Sequence, residues 1–472
     1  RAVTLAFRGY FYFEFVEFAD NFAFLRAEES PAYWSSPAPA VALQFAQMYV
    51  HNTADCFSLL GYHAFNRPIY VNRAISAGYN GGPWDFHVRG HAGVVVDTQQ
   101  AQVIGTVASR HAFHPPVKFV SARGVAVKPL TGREEARPTD QPREPVAEVY
   151  SDIDLSRSLF LTREYLLDLY DLRDKHGTPR DFTWLVHAPG SATGQETGWT
   201  ATDELQEKLF RTPWQNPLLP EQRTREQRLY ESPVSGSEGP DWVTIQNTRK
   251  RGPHDGPFAL TLLQDYRGPD LASAKLGPEW YQRKVGVRVS MLGAPGTTVY
   301  TFDTPTAYTA GAPRSSDSKD SRVLQPEHGG VSLAVRRHGP ATTFVALHEP
   351  FENDRPAPVA LHGIAQTPDA IAVAVTGPAV NDRALLQFDR RPDDTVRQHP
   401  DLETSPGLAP ITLAGGGESF TFSGHAFVRV TADRVEVFGN LKTMTLKVTG
   451  SPKLFLNGRQ TPAKVADGLL SL

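Results

Sequence analysis

Short runs in which β-branched and aromatic residues alternate with a period of two recur along this chain. That periodicity restricts it to β-structure, because successive side chains of an extended strand point to opposite faces. The runs are Val41–Tyr49, Val94–Val96, Val117–Val127, Leu159–Leu172, Phe182–His187, Val285–Met291 and Thr297–Phe302. Stretches dense in Gly, Pro, Asp, Asn and Ser separate them, and the 38 Gly and 38 Pro are spread through the whole length, so turns punctuate all of it. One short segment, Glu204–Phe210, has a helical period. A half-buried strand needs a second layer over its apolar side. The expected fold is therefore all-β: a large antiparallel β-sandwich of stacked sheets, or supersandwich, followed by a smaller C-terminal β domain.

The pattern divides the chain into a lead-in at 1–20, the sandwich at 21–345 and the small β domain at 346–472. After about Phe344 it changes to compact hairpins, ending with Ser419–Val430, Arg434–Phe438, Met444–Val448 and Lys453–Leu456. Polar, Pro-rich stretches at Gly132–Pro145, Ala312–Ser321 and Arg390–Pro406 read as exposed excursions or linkers. With 472 residues, 40% of them apolar, the chain has material for at least two cores. It opens Arg1-Ala-Val-Thr-Leu-Ala-Phe, without an initiator Met or a signal-peptide layout, which reads as the start of a segment inside a longer precursor.

Charge and cysteine usage narrow the function. A net charge of −3 gives no overall basic field, so nucleic acid is not the expected partner, and an anionic ligand would need a local basic site. No apolar run is long enough for a membrane-spanning helix. The single cysteine, Cys56, rules out an intramolecular disulfide and any Cys-rich zinc motif. Gly78-Tyr79-Asn80-Gly81-Gly82 lacks the strand-to-helix context and the Lys-Ser/Thr of a nucleotide loop, and reads as a turn.

Titratable residues gather in one stretch. It runs Met48-Tyr-Val-His51-Asn52-Thr53-Ala-Asp55-Cys56-Phe57-Ser58-Leu59, then Asn66-Arg67-Pro68-Ile-Tyr70-Val71-Asn72-Arg73, then Ala77-Gly78-Tyr79, then Val88-Arg89-Gly90-His91-Ala92-Gly93-Val94-Val95-Val96-Asp97. Strand ends and turns are where a rigid sheet aims functional side chains. This succession resembles the heparinase II/III-like polysaccharide lyases, which include alginate and related uronate lyases. That family carries a His-x-His-x-Asp stretch, a Ser-containing apolar strand, an Arg-Pro strand ending in Asp, a Gly-Tyr, and a His shortly before a Val-Val-Asp strand. His51 to Asp55 matches the first element except at Thr53, and Arg67-Pro68, Gly78-Tyr79, and His91 with Val94–Asp97 match the others in order. Weaker similarity extends to Tyr165–Asp171, Phe182–His187 and Phe344–Pro350.

The resemblance implies β-elimination on a uronic-acid-containing polysaccharide. One group neutralises the sugar carboxylate, a second removes the adjacent proton, and a third protonates the departing glycosidic oxygen. His51 is expected at the reacting sugar as base or carboxylate-orienting group, and Tyr79 as acid, or for some sugar epimers also as base. A phenol, with a reference pKa of about 10, can be drawn down by nearby cations far enough for this work. Arg73, Arg89 and Asn52 are the expected substrate-binding residues, either Arg being able to pair with the carboxylate. Asp55 is expected to orient its neighbours, and Trp34, Tyr33 and Trp84 are candidates for stacking on sugar rings.

Many members of that family hold zinc with the second His of His-x-His, the Asp ending the Arg-Pro strand, and the His before Val-Val-Asp. Here those positions read Thr53, Asn72 and His91. Hydroxyl and carboxamide oxygens are poor zinc donors. No metal or other cofactor is expected, and Thr53, Asn72 and His91 become structural residues of a former metal site. The family's α-helical toroid, which contributes to the cleft, is absent from this sequence, so an upstream helical domain or chain is the expected partner beside an anionic polysaccharide. The resemblance also implies a periplasmic or secreted protein. A uronate epimerase using the same proton abstraction, and a non-catalytic carbohydrate-binding or scaffold protein, remain as alternative readings.

Overall fold

A computed structural model describes residues 22–28, 37–44, 57–71, 90–97, 104–126, 152–195, 197–210, 245–264, 284–304, 330–353, 359–392 and 407–472. They form the all-β protein that the alternation demands, with antiparallel sheets, no closed barrel and one short helical turn at Gln206–Phe210. No described helix is long and apolar enough to cross a membrane.

The chain begins with a meander of β1 (Phe22–Arg26), β2 (Ala40–Gln44), β3 (Leu59–Ala64) and β4 (Arg67–Val71). It continues through β5 (Val94–Val96), β6 (Ile104–Phe113), β7 (Lys118–Ala126), β8 (Ile153–Leu161), β9 (Leu166–Asp174), β10 (Arg180–Pro189), β11 (Ser191–Thr193) and β12 (Thr200–Ala201). Then come β13 (Gln246–His254), β14 (Phe258–Leu263), β15 (Val285–Met291), β16 (Thr297–Thr304), β17 (Gly330–Gly339) and β18 (Ala341–Glu352). These strands build a six-stranded sheet, β12-β13-β16-β17-β10-β5, and an eight-stranded sheet, β11-β14-β15-β18-β9-β8-β7-β6.

The eight-stranded sheet is the middle layer. Leu155 and Leu159 of β8, with Leu166 and Leu172 of β9, face a core shared with β1 to β4 and with Trp184, Leu333 and Val335 of the six-stranded sheet. Phe160, Leu167 and Leu169 face the other way, into a core shared with Ile371, Val373, Leu386 and Phe427. Covered on both sides, β8 is buried at every position and β9 at all but one. This explains a departure from the sequence reading, in which Leu159–Leu172 is a single run. It is a hairpin, turned at Thr162–Tyr165, where Thr162 Oγ1 accepts hydrogen bonds from the backbone N–H of Glu164 and Tyr165. Apolar residues flank a turn that contains neither Gly nor Pro, so the sequence shows no break.

The last strands are β19 (Ala360–Thr367), β20 (Ala370–Gly377), β21 (Val380–Gln387), β22 (Ile411–Gly415), β23 (Glu418–Val430), β24 (Arg434–Lys447), β25 (Lys453–Leu456), β26 (Arg459–Thr461), β27 (Lys464–Ala466) and β28 (Leu469–Ser471). The change of sheet thus falls between Glu352 and Ala360, shortly after the change of pattern near 345. Arg434–Phe438 and Met444–Val448, separate in the sequence reading, fall on one strand, β24, apart from Val448, which follows its end. β23 and β24 are long and bend where their register slips between Phe422 and Ala426. One half of each pairs with β21 and β25, and the other half with β22 and β28. A third core, including Leu385, Val428 and Val437 on one side and Leu413, Phe420 and Met444 on the other, fills the space between the halves.

The stretch beginning at Arg390, read from its composition as exposed, starts with an anchor. Arg390 Nη1 donates to Asp154 Oδ2 at 2.9 Å, and its Nη2 donates to Asp171 Oδ2. Asp154 also accepts from Arg123 Nε at 2.7 Å. Burial pushes the Asp171 carboxyl up, while Arg390 acts against that shift. Arg390→Met should leave the buried Asp171 carboxylate without its cation, while Asp154 keeps Arg123, and cost about 3 kcal/mol, read as a lowered midpoint in urea unfolding.

Candidate functional site

His51, Asn52, Thr53, Asn72, Arg73, Tyr79 and Arg89 lie outside the described residues, as do Tyr33, Trp34, Asp55, Cys56 and Trp84. Of the expected site residues, the structure places His91. It also places the chain on either side of the others, and that placement is informative. Along one edge of β3, Gly61 pairs with Val71, the residue before Asn72. Two residues away on the same edge, Leu59 forms a bridge with Ala92, and Leu59 N donates to Ala92 O at 3.0 Å. Val71 and Ala92 therefore stand in line, about 7 Å apart at 3.3–3.4 Å per residue. Phe57, two residues before Leu59, is buried with a positive φ of 59°. The ends of three motif-bearing stretches thus meet at one corner of the first sheet. His91, at this corner, is buried.

A fully buried arginine on β8 holds the corner from beneath. Arg157 Nη1 donates to Phe57 O and to Ala92 O, each at 2.7 Å. Its Nε and Nη2 grip Asp168 Oδ1 and Oδ2 at 2.9 and 2.7 Å. The sheet register explains the pairing: Arg157 faces Tyr170 and Leu159 faces Asp168, so the two charges are diagonal neighbours on one face. The guanidinium also lies 5.0 Å from the Tyr170 ring centre. Each side chain of the ion pair has no exposed surface, so the pair positions the backbone and does not meet solvent.

Asp168 continues the network. His348 Nε2 lies 3.9 Å from Asp168 Oδ2, and His348 Nδ1 lies 2.7 Å from the Tyr70 hydroxyl. Burial, reinforced by Arg157 and opposed by Asp168, pulls His348 down to about 4, so the ring is neutral near pH 7 and the Asp168 contact is not an ion pair. Burial, with Tyr62 and Asp168, pushes the Tyr70 phenol up, so Tyr70 keeps its proton and donates it to Nδ1. That fixes the His348 proton on Nε2, facing Asp168. Trp184 stacks over His348 at 5.9 Å, and Tyr62 meets it edge-on at 6.4 Å.

Tyr70, Arg157, Asp168 and His348 have no role in the motif as the sequence presents it. A signal was present: Arg157 and Asp168 are opposite charges set in apolar runs, Leu155-Ser-Arg-Ser-Leu159 and Leu166-Leu-Asp-Leu169. The Val94–Asp97 element ends at Asp97, whose Oδ1 accepts from Asp181 N at 2.8 Å and so closes β5 against β10. Among the described residues, no group of three His, Cys, Asp or Glu side chains is placed to hold a metal ion. Of the positions that the resemblance names for zinc, His91 is described, while Thr53 and Asn72 lie outside the described residues.

The fold and this corner define a protein of stacked antiparallel sheets with a motif-bearing edge. No family model matches the chain, and no curated protein matches its sequence. Among solved structures it is similar to heparan sulfate lyase HepC from Pedobacter heparinus, with a TM-score of 0.42 and 9% identity over 79% of this chain and 42% of that one. A mutant of the same lyase gives 0.41, with 9% identity over 82% of this chain and 42% of that one. A protein from Escherichia coli K12 named as a candidate aldose 1-epimerase gives 0.31, with 10% identity over 70% of this chain and 99% of that one. The chain thus spans less than half the length of the lyase. These likenesses are distant, and they assign no residue and no reaction to this chain.

Two outcomes test the network. Asp168→Asn or Arg157→Met alone should cost about 3–5 kcal/mol in denaturant unfolding, whereas Arg157→Met combined with Asp168→Leu should cost clearly less than the sum. The second concerns pH. Because His348 titrates near 4 folded and near 6.5 unfolded, the unfolded chain binds the extra proton in between, and stability is lost as pH falls from about 6.5 through 4. His348→Gln, which keeps an acceptor for Tyr70, should flatten that loss relative to wild type in unfolding curves across this range.

Proposed function

We propose that this chain is the β-sandwich portion of a polysaccharide lyase that cleaves a uronic-acid-containing polymer by β-elimination. What carries the reading is one juxtaposition: Phe57, Val71 and Ala92, the described ends of the stretches that bear the lyase-like motif, meet at a single corner of β3. In sequence those stretches are well apart, and chemistry that divides proton removal, charge neutralisation and leaving-group protonation among several side chains needs them together.

In this reading a cation from Arg73 or Arg89 pairs with the sugar carboxylate and makes the neighbouring C–H acidic. His51 takes that proton, or orients the carboxylate while Tyr79 takes it. The electron pair of the broken C–H bond forms the new double bond and the glycosidic C–O bond breaks. The departing oxygen then collects a proton from Tyr79. Asn52 hydrogen-bonds the sugar, and Thr53, Asn72 and His91 brace the corner in place of a metal. A helical partner facing the corner completes the cleft, and the family pattern places such a protein in the periplasm or outside the cell.

The test is an ultraviolet assay on the protein in the form its host makes, with alginate, heparan sulfate, chondroitin and ulvan as substrates. A lyase creates a conjugated double bond and a rising absorbance with one of them. An epimerase changes sugar stereochemistry without that signal, a binder does neither, and either result removes the proposal. Tyr79→Phe should lower turnover by roughly 10²–10⁴-fold, the usual weight of a general acid, and near-normal turnover would take Tyr79 out of the mechanism.

A further inference from the structure

The outermost layer of the C-terminal sandwich has a solvent face of unusual composition. β22, the first half of β23, the second half of β24, β28 and β27 turn Leu413, Phe420, Met444, Leu446 and Leu470 into the third core, so the alternate residues point outward. Register aligns those residues in rows across the strands. Thr412 faces Thr421, which faces Thr443, and the Thr412 and Thr421 hydroxyls are 2.9 Å apart. In the next row Ser419 faces Thr445, which faces Ser471, which faces Lys464. Strands about 4.8 Å apart make this second row roughly 14 Å long, ending in an ammonium group.

A second ammonium is held beside it. Lys447 follows Thr445 on the same face, and a Cβ added to Gly417 would lie 3.0 Å from its Cε and 3.3 Å from its Nζ. The lysine therefore lies across the Gly416-Gly417 turn, which needs glycines because both residues have positive φ, 60° and 81°. Lys447 and Lys464 are exposed, and neither has an ion-pair partner among the described residues. Glu418, next to the Gly416-Gly417 turn, is turned inward and gripped by Arg383 at 2.8 Å, and Asp467 sits on the β27–β28 turn at the rim. An ordinary solvated sheet face mixes both signs of charge. This one presents hydroxyls and two lysines without an ion-pair partner among the described residues, with Ala414, Leu469 and Ala466 between them, in a chain whose net charge is −3.

We propose that this face binds a strand of anionic polysaccharide, its hydroxyl rows exchanging hydrogen bonds with sugar hydroxyls and Lys447 and Lys464 pairing with carboxylate or sulfate groups. The substrate class rests on the function proposed above, while the surface itself is separate from the corner at β3. Binding here is salt-dependent, because exposed ion pairs are screened. The class excluded by the charge pattern is a neutral glucan.

Affinity electrophoresis through gels containing alginate, heparan sulfate or a neutral glucan reads binding without any cleavage. Retardation of the wild type by a polyanion is expected, declining with salt. Lys447→Glu with Lys464→Glu should weaken it by about tenfold, and Thr421→Val with Thr443→Val by a smaller but measurable factor. If the paired variants migrate as wild type does, if no polyanion retards the wild type, or if the neutral glucan retards it equally, the inference falls. Circular dichroism checks that each variant folds, and the Thr→Val pair tests the face should the charge reversal fail to fold. The two readings separate cleanly: retardation lost in these variants supports this surface even where the ultraviolet assay is negative. Unchanged retardation beside a positive ultraviolet assay removes this surface alone.

Discussion

An arginine with no exposed surface survives inside a protein only when its hydrogens are taken up, because burying an uncompensated ion costs several kcal/mol. Arg157 meets that condition with a bidentate carboxylate and two backbone carbonyls. The choice of acceptors matters. Asp168 belongs to the same sheet and would suffice to neutralise the charge. Phe57 and Ala92 belong to the connections of the first sheet, and the Ala92 carbonyl also accepts from Leu59 N, so the guanidinium joins a contact that β3 already makes. The guanidinium therefore converts an electrostatic requirement of the middle layer into a geometric restraint on the corner. Since the acceptors are main-chain atoms, the restraint acts on the path of the chain whatever side chains it carries.

The same logic repeats on the other face of the middle sheet. There Arg390 and Arg123 share Asp154, and Tyr165 donates to Asp382 Oδ2 at 2.7 Å while Arg429 grips the same carboxylate at 2.9 and 2.8 Å. Burial raises the Tyr165 phenol and the Asp382 carboxyl, with Arg429 opposing the second shift. Apolar layers are tolerant of sliding, since dispersion contacts can be remade at a neighbouring register. Bidentate pairs are not, because displacement by one residue leaves a buried charge without its partner. With polar ties on both faces, the middle sheet sets the registration of the layers on either side.

How much of this was legible in the sequence depends on what each residue's partner is. β15 and β16 keep the alternation in their residue types, as in Val285-Gly-Val-Arg-Val-Ser-Met291, and the sequence pattern gives nearly their observed bounds. β8 and β9, covered on both faces, lost it, and their turn at Thr162–Tyr165 disappeared into an apolar run. At Arg390, the start of a polar, Pro-rich stretch of which only the first three residues are described, the half-buried side chain reaches carboxylates more than two hundred residues earlier in the chain. Arg157, Asp168, His348 and Tyr70 were visible as letters but not as a network, because sequence shows a buried charge without showing what neutralises it. The motif residues present the converse case. Their order pointed to one site, and the structure adds that Val71 and Ala92 share an edge of β3, a long-range fact that no local pattern contains.

The corner at β3 and the hydroxyl face of β22 to β28 stand at opposite sides of the layered stack. Two layers lie between the sheets that carry them, and at about 10 Å per sheet spacing the two surfaces are about 30 Å apart. No single sugar can touch both. A polymer can, and for a polymer the two surfaces need not be individually tight, because engagement at one raises the local concentration of chain at the other. Such coupling depends on the separation staying fixed. The Arg390, Arg123 and Arg429 ties hold the last sandwich against the middle sheet, and Arg157 holds the middle sheet against the corner, so the ionic groups that fix the fold also fix the distance a bound chain would have to span.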